Sequence, residues 1–549
     1  MSTTTTNYSL VKPAPTDVVD IEVINSDLDV IDAAMRLSAT ATGRNLKDFG
    51  AVGDNSTNNV TAFNAAIANA NALLGDDRPS INGRMYIIPE GRYHINAALN
   101  PVTVSGIEFV GQGQATVLVI PPNVGTVFTL GDASLTRMPV GLAIRNLKIE
   151  YTGTPASTDS FCTLSHVNEV SFTDLQLVQV PTFLNLGTSA TAAAGGILVD
   201  RVVGSIANVG APVFKLNYGA GLRVDNTAMF VSGVLTPTHP TDMTTVAGTD
   251  VIHGSLTGGA FWDTLMISNT CSFERFYRGL NLYAGSGAVF QNMWIDGVWD
   301  YTRSTVIRLE SPSGGVISGV RTTKDCWMVA WESYAIYITG AGYNDNHELG
   351  GTIPISGIAA VWCDSPNAKC LKFTLQIGSV GQKTEPAAAM MFRPSSTGFI
   401  VQGCAGHDDL TGSGLPWRAA WGLAIGVDCD NYIVTGNRLS GYAAAGNIGG
   451  YNNGAVHSSG SVNRLMTNNL GAGYAGYDAA FTPAASAVVN TNKTDNIWEV
   501  SIYGGTVTAI AKNGTTITGM TSGTLRIAPG ETFTITYSSV PSVTKFILE

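Results

Sequence analysis

The chain has 549 residues, 13% of them charged and 44% apolar, with 62 glycines and a formal charge of −11. That charged share is about half of the ~25% usual for soluble domains, yet the apolar content is too high and too evenly spread for a disordered chain. The negative balance argues against a phosphate-backbone partner, so no nucleic acid is expected, and no apolar run reaches the ~18 residues of a membrane span.

Residues 1–40 differ in texture from the rest. Asn7 to Pro15 is an extended segment punctuated by prolines, and Val23, Ile24, Leu28, Ile31 and Met35 follow at helical spacing between Asp17 and Met35. So short a piece cannot build its own core and is expected to dock on something larger. The pattern Lys12-Pro13-Ala14-Pro15, Asp20, Asn25, Asp29, Ile31, Asp32 resembles the N-terminal segment of tail fibres and minor tail proteins from phages of Gram-positive bacteria. The resemblance implies that residues 1–40 attach the chain to other tail or baseplate proteins. No basic stretch followed by an apolar one opens the sequence, so no secretory signal is expected.

Lys47-Asp-Phe-Gly-Ala-Val-Gly-Asp54 comes next. Ala62, Phe63, Ala66, Ile67 and Ala70 then form one apolar stripe, which predicts a short helix capped by Asn58 or Asn59. Tyr86-Ile-Ile-Pro-Glu-Gly-Arg-Tyr93 reads as strand, tight turn and strand. Together these three pieces resemble the opening of pectate-lyase-like right-handed β-helices, common in phage tailspikes and polysaccharide-degrading enzymes. Where that family usually has Asp-Asp-Thr this chain has Asn58-Asn59-Val60, an exchange of one cap for another. Asp54 and Glu90 read as turn and cap residues rather than chemistry.

From about 105 to 470 a loose unit recurs: a glycine, alternating apolar residues, an Asn or Asp, then another short strand. Gly141 to Asn146, Val170 to Asp174, Gly196 to Asp200, Gly221 to Asn226 and Tyr432 to Asn437 are instances. Irregular periods of roughly 20–27 residues are those of stacked β-helix coils, with inward Asn and Thr forming ladders at the turns. After about 490 the pattern alternates with period two, and Gly504-Gly505, Asn513-Gly514 and Pro529-Gly530 turn the strands. The predicted fold is therefore all-β: a right-handed parallel β-helix over 41–490 behind the 1–40 segment, and a small β module over 491–549 that trimerises the chain or binds glycan. The seven cysteines include no CxxC pair, so they are expected to be small buried hydrophobes in a chain folded under reducing conditions.

Aromatic residues concentrate in the middle. Trp262, Trp294, Trp299, Trp327, Trp331 and Trp362 are six of the nine tryptophans. Flat rings bury the C–H faces of sugars at little entropic cost, so Trp294, Trp299, Trp327, Trp331 and Tyr277, with Arg278 and Arg321, are candidate sugar contacts. Carboxylates share the stretch. Placing Asn269, Asn292 and Gly319 at equivalent turns puts Glu274, Asp296, Asp300 and Asp325 on one lateral strip. Coils stand about 4.8 Å apart. Neighbouring-coil acids then approach the ~5–5.5 Å of a retaining glycosidase pair, and acids two coils apart the ~6.5–9.5 Å of an inverting one. Asp296 with Glu274 or Asp325 is the favoured pair; solvated turn charges and a subunit seam are the competing account.

Other patterns carry less. The Gly406-His407-Asp408-Asp409 loop holds an Asp-Asp without the companion motifs of polygalacturonases, and Asp428, Asp430 and Arg438 make a poor lyase set. No cofactor or metal is expected. The resemblances imply a homotrimeric tailspike or tail fibre of the virion, made in the host cytoplasm, that recognises a host surface polysaccharide and cleaves it or only adheres to it. A secreted cellular polysaccharide lyase or hydrolase is the alternative.

Overall fold

The computed structural model describes residues 3–4, 11–12, 44–73, 84–234, 244–380, 388–393, 396–407, 421–426, 429–440, 448–450, 465–467, 476–478, 485–492, 497–528 and 530–548. The helix expected between Asp17 and Met35, most of the attachment segment, and Asp408, Asp409 and Asp428 lie outside them. The chain divides into two units, Met1–Ala207 and Asn208–Glu549, each taken by itself below.

In the first unit a turn of 3-10 helix, Leu46–Phe49, is closed by Gly50 at φ 90°. Asp54 then accepts hydrogen bonds from the Ser56 and Thr57 N–H groups and from the Thr57 hydroxyl, which hold its carboxyl well below the usual range. It is a turn residue, as its place in the sequence suggests. The helix spans Val60–Leu73 and buries Ala62, Phe63, Ala66, Ile67 and Ala70, the stripe the spacing predicts. Asn58 accepts from the Val60 N–H at 3.2 Å, while buried Asn59 receives the Val52 N–H at 2.7 Å and so ties the helix start to the preceding loop.

The strands Arg84–Ile87 and Gly91–His94 do not pair with each other. They run parallel to Ile107–Val110 and Thr116–Ile120 respectively, so the Pro-Glu-Gly turn is a solenoid corner rather than a hairpin. The long strands Val140–Tyr151, Val167–Val180 and Ala194–Ile206 stack in parallel register, with Arg145 against Thr173 and Thr173 against Asp200. A coil therefore takes 28 and then 27 residues here. Phe63, Phe109, Phe128, Phe161 and Phe183 stack down the interior at centroid spacings of 5.5–6.5 Å.

The second unit repeats the same architecture. Asp263, Gln291, Ser318, Asp345 and Lys369 lie in one parallel row. The next residue on each coil, Thr264, Asn292, Gly319, Asn346 or Cys370, turns the corner with φ of 60°, 58°, 69°, 53° and 53° respectively. This corner explains the recurrent asparagines better than an inward ladder does, because a left-handed backbone favours Gly and Asn. Asn292 and Asn346 are exposed there, although Asn344 and Asn437 are indeed buried. Thr264 is the β-branched member of the row, and the left-handed region costs such a residue about 1–2 kcal/mol. Thr264→Asn should therefore raise unfolding stability by about 1 kcal/mol, read from denaturant midpoints.

Cys370 departs from the expectation for cysteines, because the corner points its side chain outward. It is exposed, and the other six are buried. Burial first, with the Asp296 charge adding to it, pushes the Cys326 thiol above the range in which thiols react at neutral pH, and burial, partly opposed by hydrogen bonds, pushes Cys363 and Cys404 to about 11. An aromatic disulfide reagent should consequently titrate a single thiol per native chain quickly, and the remainder only after unfolding.

The described residues from 476 onward form two four-stranded antiparallel sheets around Trp498, Val500, Ile502, Ile510, Ile527, Phe533 and Ile535. The strands Gly476–Asp478 and Val489–Thr491 join these sheets ahead of the boundary expected at 491. Asn513-Gly514 makes the predicted hairpin, with Lys512 opposite Thr515. Gly504-Gly505 instead carries the chain from one sheet to the other, since Ile497–Tyr503 and Thr506–Lys512 pair with different partners. Among the described residues no helix is long and apolar enough to cross a membrane.

Candidate functional site

Strand register decides which carboxylates meet. The corner equivalent to Asn292 and Gly319 is Thr264, not Asn269, so the coil between them is five residues longer than the sequence alignment assumed. Asn269 instead lies in the turn 268–271 that follows this strand, two residues longer than the Asp296-Gly297 link on the next coil. As a result Glu274 on Ser272–Glu274 pairs with Asp300 on Val298–Thr302, and Phe230 stands beside Glu274 on the coil before. Phe273 and Trp299, the residues just before the two acids, are buried, so Glu274 and Asp300 point outward together. Their backbones are about 4.8 Å apart by strand spacing.

The two acids differ in environment. Asp300 is half-buried, and burial raises its pKa; the Tyr301 N–H, donating at 3.0 Å, opposes this, and the Glu274 charge adds to it. Glu274 is more open, with a side chain 41% exposed and the Arg275 guanidinium 3.8 Å away. Arg275 also lies over the Phe230 ring at 5.8 Å. Burial favours the protonated form of Asp300, which is the direction a general acid needs.

The other predicted acids do not join them. Asp296 is buried at the corner, where it accepts the Thr323 N–H at 3.0 Å, the Thr323 hydroxyl at 2.8 Å and the Trp294 indole N–H at 3.3 Å. Its oxygens are committed to holding two coils together, which corrects its placement in the favoured pair. Asp325 sits on an exposed turn paired with Lys324 at 2.9 Å, three residues before Met328, the register partner of Trp299. It is a solvated turn charge.

The aromatic candidates separate the same way. Trp294 and Trp327 are 42% and 40% exposed. Met266 adjoins Trp294 on the strands before the turn, and Val298, on the Asp300 strand itself, adjoins Trp327 on the next coil, so two exposed apolar pairs stand near the acids. Arg321, mostly exposed, is the register neighbour of Trp294 and lies 4.0 Å from Glu348. Trp299 belongs to the interior, stacked on Phe273 at 4.8 Å, so it cannot touch a ligand. Trp331 is nearly buried and lies flat against Tyr301 at 6.0 Å, where it supports the acid-bearing strand. Tyr277 and Arg278 serve a different cluster: Tyr277 is flanked by the Arg278 and Arg303 guanidinium groups at 5.0 and 5.9 Å, and Arg278 pairs with Asp250.

That second cluster escaped the sequence reading. Asp250, wholly buried, faces His253 at 3.3 Å, Asn281 at 2.9 Å and Arg278 at 3.4 Å. Asn281 lies 28 residues after His253, one coil on, and that coil length would have aligned them had Thr264 been recognised as the corner. Among the described residues no group of His, Cys, Asp and Glu could hold a metal ion.

Residues 43–301 match the family described as Rhamnogalacturonase A/epimerase, pectate lyase-like. The matched stretch holds the helix cap, the stacked coils and Glu274 and Asp300 themselves, and the pectate-lyase-like right-handed β-helix is the fold observed. A search of curated proteins finds no match. Among solved structures, the family 28 exopolygalacturonase of Yersinia enterocolitica is 12% identical at TM-score 0.44, covering 78% of this chain and 79% of its own. A double mutant of the tailspike of E. coli bacteriophage HK620, in complex with a pentasaccharide, is 10% identical at TM-score 0.41, covering 92% and 94%. The A-module of the mannuronan C-5 epimerase AlgE4 of Azotobacter vinelandii is 11% identical at TM-score 0.41, covering 77% and 100%.

Proposed function

We propose that this chain is the receptor-binding protein of a phage tail, a homotrimeric tailspike or tail fibre that recognises a host surface polysaccharide and depolymerises it. The observation that carries the chemistry is the register pairing of Glu274 with Asp300 on adjacent coils, with the pKa of Asp300 raised by burial. At one strand spacing the pair suits a retaining glycoside hydrolase. Asp300 gives its proton to the glycosidic oxygen as the bond to the anomeric carbon breaks, and Glu274 attacks that carbon to form a glycosyl ester. Asp300, now ionised, takes a proton from water, and the resulting hydroxide displaces Glu274. The exposed Trp294 and Trp327 supply flat surfaces for neighbouring sugar rings.

The tail assignment rests on the pattern from Lys12 to Asp32 and on the helix-then-coil opening, and the homotrimer on the same resemblance. Trimer symmetry would multiply weak sugar contacts into avidity. The test is incubation of purified protein with host surface polysaccharide, followed by sizing and mass spectrometry, with light scattering to count the 57.4 kDa chains per particle. Shortened oligosaccharides that each gain one water support the hydrolase; unsaturated products would mean a lyase and remove the acid pair from the chemistry. Intact polymer retained on the protein would leave an adhesive fibre.

A further inference from the structure

A second outward face lies ahead of the left-handed corner, on the strands Phe261–Ile267, Val289–Ile295, Val316–Thr322 and Tyr343–Asp345. Two rows run along it parallel to the solenoid axis. One stacks Phe261, Val289, Val316 and Tyr343, and the other stacks Asp263, Gln291, Ser318 and Asp345. Between the rows stand Trp262, Phe290, Ile317 and Asn344, all fully buried, so alternation turns both rows outward. Three strand spacings make the face about 14 Å long, and two residues along a strand set its rows about 7 Å apart.

The first row is apolar and open at both ends. Phe261 is 42% and Tyr343 50% exposed, with Val289 and Val316 partly exposed between them. In the second row the polar groups are mostly uncommitted. Gln291, Ser318 and Asp345 make no side-chain hydrogen bond among the described residues, and the Asp345 Oδ1 is shielded from water as well. Asp263 accepts the Asn292 amide at 2.8 Å and the Thr264 hydroxyl at 3.1 Å on one oxygen only. Lys369 ends the face, its Nζ 6.0 Å from the centre of the Tyr343 ring. The turns that lead into these strands, 257–260, 285–288, 311–315 and 340–342, hold only Gly, Ala, Ser, Thr and Pro, so that edge is low and uncharged. A footprint of about 100 Å² is far below the ~800 Å² per partner that a stable protein interface buries, so the face suits a small ligand rather than another chain.

We infer that this face binds a neutral saccharide segment lying along the solenoid axis, with sugar rings on Phe261 and Tyr343 and hydroxyls on Gln291, Ser318 and Asp345. The aromatic and valine strip covers the C–H faces of the rings. A carboxylate, an amide and a hydroxyl without internal partners gain hydrogen bonds when sugar hydroxyls reach them, and an acceptor shut off from water gains most. Asp263 and Asp345 repel an acidic sugar, which sets the class of ligand as uncharged. The face stands across the Thr264, Asn292, Gly319 and Asn346 corner from the exposed Met266–Trp294 pair, and does not depend on cleavage at Glu274 and Asp300.

The test is a printed array of neutral, amino and uronic-acid oligosaccharides probed with the full chain carrying Glu274→Gln and Asp300→Asn, followed by calorimetric titration of the strongest ligand. Signal should fall on neutral, hydroxyl-rich glycans. In that background Tyr343→Ala and Gln291→Ala should each weaken the titrated ligand about fivefold, while Trp294→Ala with Trp327→Ala should leave it unchanged. Should Tyr343→Ala fail to fold, exposed Phe261→Ala carries the same expectation. An array without a neutral ligand overturns the inference, as does a preference for uronic-acid glycans or full affinity in the row variants. Loss of affinity in the double tryptophan variant overturns it too, by moving the ligand across the corner. Polysaccharide cleavage by the natural chain is read separately, so failure of this face and failure of the hydrolase reading are told apart.

Discussion

Asp300→Asn should lower the rate of polysaccharide cleavage by about a hundred- to ten-thousandfold while leaving the glycan bound, because the amide cannot deliver a proton to the departing oxygen. Glu274→Gln should cost a similar factor by removing the attacking oxygen. The pH dependence follows from the sign of the Asp300 shift. Its pKa is raised, first by burial, so activity is present while Asp300 is protonated and is lost as pH rises through that raised value. Asp300→Asn removes this alkaline limb along with most of the rate. The same shift makes a stability prediction of opposite benefit. A carboxyl whose folded pKa lies above its unfolded one contributes stability that is complete below the unfolded value and lost as pH rises through the folded value. At neutral pH the half-buried charge of Asp300 is therefore a cost, and Asp300→Asn should melt higher than the natural chain, with the gap closing as pH falls below the ordinary carboxylate range. A variant that is inactive and more stable is what a catalytic acid predicts. One that is inactive and less stable would mark Asp300 as a structural residue.

What the sequence made legible follows from what local chemistry can specify. The helix stripe from Ala62 to Ala70 and the Asn513-Gly514 hairpin are set by neighbours within a few residues, and both stand in the structure. The solenoid showed through because each coil must hide alternate residues, which leaves a periodic trace. Pairing across coils is harder, since it depends on the summed length of strands and turns. Thr264 hides a corner because nothing about a threonine announces a left-handed backbone, and Asn269 offered a false one five residues on. That single slip moved Asp296 into the candidate strip and kept the pairing of Glu274 with Asp300 out of first place. It also concealed the alignment of His253 with Asn281, although both are polar residues on adjacent strands.

Trp299→Ala should destabilise the chain by about 3–5 kcal/mol, the cost of emptying a large ring from a packed core. The indole has no exposed surface, stacks on Phe273, and donates its N–H to the Asp296 carbonyl at 3.1 Å. Gly279 on the facing strand makes room for it, since a Cβ there would lie 2.7 Å from the ring. Removing the ring would thus open a cavity on the inner side of the strand whose outer side carries Asp300, and leave the Asp296 corner without one of its ties. Trp294→Ala and Trp327→Ala expose no such void, because about two fifths of each residue already meets solvent. They should change denaturant midpoints little and reduce retention of the polysaccharide instead. The three tryptophans, equivalent in the sequence, therefore divide by a pair of measurements: chemical unfolding, which Trp299→Ala shifts strongly, and polymer binding at a temperature where every variant is folded, which it should leave intact. Since each coil in a solenoid leans only on its neighbours, the loss at Trp299 should also broaden the unfolding transition as the coils around it release first. A Trp299→Ala chain of normal stability that no longer bound polysaccharide would contradict the burial of the ring and return it to the binding surface.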